Sequence, residues 1–140
     1  MDETQLETTD EVIARLRLEP HAYDGWFAPL PNNETGIYRL IGVGDFIGWH
    51  QLPVSTLWRH EAGAALTLSQ SSDGFQANAV CLDRQSISPS LSVGENVWQT
   101  AESLGAWSLV SCVYEPALAH TDLIDAIKLA PDNWYPGLGH

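Results

Sequence analysis

The acid–base and cationic chemistry available to this chain is sparse, and one stretch brings His50, Arg59 and His60 close together in sequence. Trp49-His50 is followed closely by Trp58-Arg59-His60, in a chain with five histidines and six lysines and arginines. An imidazole such as His50 takes or gives a proton near neutral pH. Arg59 offers a planar fork for a carboxylate, phosphate or enolate oxygen. If the strand register slips by one, His60 points inward in its place. Gln99 can orient a carbonyl or donate to an oxyanion, and Thr56 can do so more weakly. Trp58 and Tyr38 are candidates to wall a pocket for a ring or polyene. Each has a plainer alternative: a hydrogen-bonded structural histidine, a surface arginine balancing an acidic chain, a core aromatic. Trp49 and Trp98 belong with the plainer alternative, because alternation sets them opposite His50 and Gln99. No Ser-His-Asp set and no phosphate-binding glycine motif accompanies them.

The elements that must position these residues fit one domain, since the chain has 140 residues. An apolar share of 44 % suits a soluble globular protein with a full core. The charge is lopsided, with a formal net charge of -12. Phosphate binding needs clustered basic residues, so nucleic acid is an unsuitable partner, and so is an anionic membrane surface. Cys81 and Cys112 are too few and too far apart for a disulfide framework or a zinc knuckle. The acidic start, Met1 to Asp10, does not read as a signal peptide, and no apolar run reaches membrane-span length. A cytoplasmic protein with reduced thiols is expected.

Residues 1–9 are expected to be disordered, 10–130 to form the single domain, and 131–140 to be a tail. Thr9 or Asp10 can cap a short helix whose Val12, Ile13 and Leu16 share a face, with Pro20 at or beyond its end. From Trp26 to about Val113 short strands follow one another: 37–41, 45–52, 65–69, 75–80, 90–93, 97–101 and 107–114. Asp73-Gly74 between two alternating runs predicts a hairpin. After Pro116, Leu118, Leu123, Ile124 and Ile127 return to helical spacing. Many short strands flanked by two helices predict an all-β sandwich or barrel, with the jelly roll as one form.

One spacing carries more. Gly44 is followed after five residues by His50, and Gly63 stands thirteen positions beyond His50. This resembles the first motif of the cupin superfamily: Gly, five residues, His, one residue, His, three or four residues, Glu, six residues, Gly. The glycines permit the turns at strand ends. The resemblance implies a jelly roll whose His, His and Glu, with a further His from a second motif, hold a metal in the barrel mouth. Here His50 takes the first ligand place, Leu52 the second and Thr56 that of Glu. In the second motif Asn96 replaces the turn glycine, which its tolerance of positive φ allows. Gln99 stands in the last ligand place. A lone histidine does not hold zinc, iron or manganese, so no metal and no cofactor is expected.

The chain is similar in more detail to cupin family five, small cupins of unknown function. Leu16, Leu18, Pro20 and His21 match the family's opening, followed by Gly25-Trp26-Phe27 and Ile37-Tyr38. Phe46-Ile47-Gly48-Trp49-His50-Gln51, then Ser55 to His60, then Gly63 continue it. Trp98-Gln99 and Ser108 to Val113, with Pro116 near the end, complete it. The resemblance covers about Val12 to Asp125. Against that pattern Ser55-Thr56 replace an Asp-Glu pair and Arg59 replaces a histidine.

These residues suggest a metal-independent cupin that binds a small organic molecule in the barrel mouth. An isomerase, epimerase or cyclase is expected, with the tailoring of a secondary metabolite as one setting. His50 would be acid or base, with Arg59 and Gln99 on the oxyanion. Leu52, Thr56, Trp58, Tyr38 and His60 would complete the binding surface. Cupins resembling nucleotide-sugar epimerases keep metal-free chemistry open. The alternative is a non-catalytic module for a small apolar or sugar-like ligand. A metal-dependent oxygenase is the third reading. The family resemblance also implies a homodimer.

Overall fold

The structure is a computed structural model, and it describes residues 7–130 apart from 24, 32, 33, 46, 118 and 119. The expectations for residues 1–6, Leu118 and the tail 131–140 lie outside the described residues. Helix α1 spans Thr9–Leu16. Strands follow as β1 (Glu19–Pro20), β2 (Trp26–Pro29), β3 (Gly36–Gly42), β4 (Ile47–Gln51), β5 (Ser55–Gly63) and β6 (Leu66–Ser71). Next come β7 (Asn78–Leu82), β8 (Ser90–Val93), β9 (Trp98–Ser103) and β10 (Trp107–Glu115). Helix α2 (His120–Ala126) and the two-residue β11 (Lys128–Leu129) end the described chain.

The strands form two antiparallel sheets, ordered β1-β2-β3-β10-β5-β8 and β11-β4-β9-β6-β7. Every connection from β3 to β10 except β6–β7 crosses from sheet to sheet, giving the predicted β-sandwich. The main core lies between the sheets and includes Ile37, Ile41, Trp58, Leu66, Leu68, Leu82 and Val110. Their alternation with more exposed neighbours places one row of each strand in the interior. A second cluster covers the outer face of the six-stranded sheet, where Val12 and Leu18 pack on Leu40, Ala62, Trp107 and Leu109. Burying a valine side chain as completely as Val12 contributes about 2 kcal/mol, enough to hold a short helix in place.

The cap of α1 is Thr8, one residue before the expected position. Its hydroxyl accepts from the Glu11 amide, while the Glu11 carboxylate accepts from the Thr8 amide, a reciprocal capping box. The hairpin at Asp73-Gly74 is present, joining β6 to β7, but β7 begins at Asn78. The Asp73 carboxylate accepts from the Phe75 and Gln76 amides, so those residues belong to the turn. After α2 the chain returns to extended structure and β11 pairs with β4, a strand that helical spacing at Ile124 and Ile127 concealed.

Two bulges decide which side chains face inward. On β4, Ile47 pairs with Ala101 and His50 with Gln99, so β4 carries one extra residue. Ile47 and His50 are therefore both interior. On β5 the register shifts opposite Leu109/Val110. Thr56, Trp58 and His60 form one unbroken row that faces the interior, and beyond the shift Ala62 turns to the α1 side.

The motif positions Gly44 and Gly63 have φ of 84° and 80°, and Asn96 has φ of 61°, all in the left-handed region. They differ in surroundings. A Cβ on Gly44 meets open space, whereas one on Gly63 lies 2.5 Å from the Trp107 ring. Gly44→Ala is expected to lose about 1 kcal/mol, the backbone term alone. Gly63→Ala is expected to lose more than about 2 kcal/mol, because the ring must also move. Denaturant unfolding of both variants checks the order; equal losses would contradict it.

Candidate functional site

His50 sits at the centre of the interior polar groups. It pairs across β9 with Gln99 and across β11 with Leu129. Its ring is buried, and Nδ1 lies 2.8 Å from the Gly48 carbonyl. A carbonyl can only accept, so Nδ1 carries the hydrogen and Nε2 the lone pair. Burial lowers the pKa from 6.5 to about 4; the Gly48 hydrogen bond opposes this and the Arg39 charge adds to it. His50 is thus a neutral base at physiological pH.

Arg39 is the cation of the site. Ile37, Arg39 and Ile41 share one row of β3, and the row faces the interior, so the guanidinium is buried with the two isoleucines. Its Nη2 donates to the Tyr23 carbonyl at 3.1 Å and approaches His21 Nδ1 at 3.4 Å. His21 Nδ1 also accepts from the Tyr23 amide at 3.0 Å. The His21 ring meets Phe27 edge-on with centroids 5.5 Å apart. Together His21, Tyr23, Arg39, Ile47, Gly48, His50, Ile127 and Leu129 enclose a pocket of about 20 Å³.

Arg59, expected beside His50, points the other way. It pairs with Ser111, which pairs with Tyr38, and this row lies on the outer face of the six-stranded sheet. Arg59 donates to Ser111 Oγ at 2.8 Å and to the Glu34 carboxylate at 3.2 Å. Tyr38 packs with the outer cluster under α1, so it is not a pocket residue either. The register alternative that turned His60 inward is the one adopted. Its Nδ1 accepts from the Arg84 amide at 2.9 Å, so Nε2 carries the hydrogen given to the Ala64 carbonyl at 2.8 Å. Both ring nitrogens are committed to backbone, and His60 does not line the pocket.

The old ligand places are interior but ill suited to a metal. Leu52 offers no donor and lies in the core. Gln99 spends its amide oxygen on the Trp58 indole, 2.8 Å away across the two sheets. Its Nε2 and the Thr56 hydroxyl are buried without a hydrogen-bond partner. Among the described residues no three His, Cys, Asp or Glu side chains gather as a metal set. An isolated hydroxyl and an amide nitrogen do not hold a divalent ion, so the residues present do not fit one. Trp58 is core, and Trp49 and Trp98 lie on the outer side opposite His50 and Gln99, with the Lys128 ammonium 5.8 Å above the Trp98 ring.

Sequence reasoning missed Arg39, Tyr23 and the covering residues Ile127 and Leu129. The signal for Arg39 was present: a charge on the same two-residue period as two isoleucines. His21 stood in the matched opening motif but was not taken as a site residue.

Two measurements check this arrangement. Thr56→Val replaces an unsatisfied hydroxyl with a methyl of like shape; it is expected to leave stability unchanged or raise it by about 1 kcal/mol in urea unfolding. A loss above about 1 kcal/mol would mean the hydroxyl is bonded. The unfolded chain protonates His50 near pH 6.5 and the folded chain only near pH 4. Between those values the unfolded state binds more protons, so stability falls as pH drops. The group contributes up to about 3 kcal/mol of that loss. His50→Gln is expected to flatten the pH dependence over this window; an unaltered slope would contradict the assignment.

Comparison with known proteins agrees with this geometry. Residues 10–124 match the family described as Cupin superfamily (DUF985). No curated protein matches the chain. A crystal structure of a Shewanella oneidensis protein superposes with a TM-score of 0.73 at 22 % identity, covering 89 % of this chain and 85 % of that one. A hypothetical protein from Leishmania major gives 0.74 at 18 % identity, covering 91 % and 90 %. At these identities the likeness is one of fold. Among the described residues no helix is long and apolar enough to cross a membrane. With its match extending from α1 into α2, the chain belongs to the DUF985 family of the cupin superfamily, cupin family five.

Proposed function

We propose that this cupin binds a small organic acid or carbonyl compound in the barrel pocket and moves a proton on it without a metal, as an isomerase or epimerase. One observation carries the reading: the neutral base His50 and the guanidinium of Arg39 line the same enclosed pocket. The Nε2 lone pair takes a proton from the carbon beside a carbonyl. The electron pair left behind moves onto the carbonyl oxygen, where Arg39 stabilises it. Returning the proton from the same imidazole to the conjugated carbon isomerises; for epimerisation a water on the opposite face of the carbon supplies the proton, and the imidazolium gives its own to solvent. An imidazolium next to Arg39 is disfavoured, so the substrate must bring the negative charge that offsets both cations. This selects an anionic substrate or one that becomes an enolate.

The size of the pocket narrows the choice. About 20 Å³ holds one water, against hundreds of Å³ in ordinary ligand sites. Folding a polyene or polyketide for ring closure finds no room here, which removes support from the cyclase reading. Even a small acid must displace Ile127 and Leu129. These cover the pocket from a segment held by two strand pairs with β4 and the buried Leu123, and Leu129 is 52 % exposed. Such a segment opens at low cost. The alternative, a binding module without catalysis, meets the same limit of volume. Cys81 and Cys112 are free thiols, which suits a reducing cytoplasm.

Exchange in D2O tests the proposal without knowledge of the product. Small keto acids and carbonyl compounds are incubated with the protein, and deuterium entering beside the carbonyl is followed by NMR. Catalysed exchange is expected at pH 7, falling on the order of 10²- to 10⁴-fold in His50→Gln. Because the base protonates only near pH 4, the rate should hold across neutral pH and fall as pH 4 is approached. Binding without exchange would favour the non-catalytic reading; neither binding nor exchange would contradict both.

A further inference from the structure

We propose that a cavity on the outer face of the six-stranded sheet, between Trp26 and Trp107, binds a small organic cation: an ammonium carrying an apolar body. The cavity measures about 500 Å³, within the range of small-molecule sites, whereas the barrel pocket has room for one water. It shares no lining residue with the pocket of His50, so it stands independently of the function proposed above. Strand pairing builds it. Trp26 pairs with Leu40 and Trp107 with Gly42, which sets both indoles on the outer face with Leu40 as floor. Gly42 has no side chain, and this leaves the space between the indoles open. A Cβ at Gly42 would lie 3.3 Å from Asp45 Oδ2, so the carboxylate stands over that gap. The Gly42 amide donates to the same Oδ2 at 2.7 Å and holds it there. The Trp107 indole is held in turn by donating to the Glu7 carbonyl at 2.8 Å. Val43, 78 % exposed, adds an apolar rim.

The charge of the lining selects the occupant. Glu7 and Asp45 bring two carboxylates, and no lysine, arginine or histidine is among the described lining residues. Arg15 donates to both Glu7 oxygens, at 3.0 and 3.1 Å, and offsets one of the two charges. The start of α1 adds about half a positive charge, less than the Asp45 carboxylate that remains. The first turn of α1 also carries Asp10 and Glu11. The cavity is therefore net negative, and indole rings attract a cation over their faces. An anion finds no basic side chain here, and a neutral ligand forgoes the carboxylate.

NMR titration of the full chain tests this with three probes of like size: phenethylammonium, the uncharged 2-phenylethanol and the anion 3-phenylpropanoate. Phenethylammonium should shift the amide signals of Gly42, Val43 and Asp45 and bind about tenfold or more tightly than 2-phenylethanol. The anion should not bind there. Asp45→Asn keeps an acceptor for the Gly42 amide and removes the charge. It should weaken the ammonium by about tenfold and leave the alcohol unchanged. Trp26→Leu should weaken both. Equal binding of ammonium and alcohol to the wild type would overturn the proposal. So would ammonium binding that Asp45→Asn leaves unaltered, or shifts confined to other residues. NOEs from residues 1–6 to either indole in the free protein would put the chain's own start in the cavity and overturn it as well.

Discussion

A buried imidazole governs the rest of this barrel. His50 is held between the sheets with one nitrogen bound to the Gly48 carbonyl. Ionising such a ring in an apolar interior is costly, so it stays neutral and keeps a lone pair. Every other polar group nearby is arranged around that fact. Arg39 supplies positive charge that further disfavours imidazolium, and its own hydrogens reach backbone and a second imidazole. A pocket with one fixed cation and one unprotonated base is matched by a ligand carrying negative charge or able to develop it.

The two sheets are tied together in the same region by a direct hydrogen bond. The Trp58 indole on β5 meets the Gln99 amide on β9. In metal-binding cupins the ligand positions on these strands are joined through an ion; here an indole and an amide make the link. The substitution uses the acceptor atom that would be the only plausible donor of Gln99 to a metal. Ser55 and Thr56 stand where the family pattern has carboxylates, and beside them Leu52 and Trp58 are core. Among the described residues, the buried polar atoms without a hydrogen-bond partner include the Thr56 hydroxyl and the Gln99 amide nitrogen.

Much of the frame was legible in the sequence because it rests on local rules. Gly44, Gly63 and Asn96 stand where the backbone enters the left-handed region, and residue type alone foretells that. Alternation correctly set Trp49 against His50 and Trp98 against Gln99. The site was less legible because alternation does not say which of two rows faces the core: Thr56, Trp58 and His60 form one row of β5 and Arg59 the other. The irregularity in β5 against β10 lies beside the segment holding Arg59 and His60, and the choice between them is a one-residue matter. Arg59 satisfied the expected chemistry but not the expected face; Arg39 satisfied both from a different strand. The covering strand β11 was hidden because two residues carry no period. Pocket volume depends on how Ile127 and Leu129 pack, which no spacing encodes.

The claim on which the account rests is the state of the His50 ring, and NMR titration of the histidine ring nitrogens reads it directly. The prediction is a neutral ring with hydrogen on Nδ1 throughout the neutral range, protonating only near pH 4. A His50 that titrates near 6.5, or carries its hydrogen on Nε2, would contradict it.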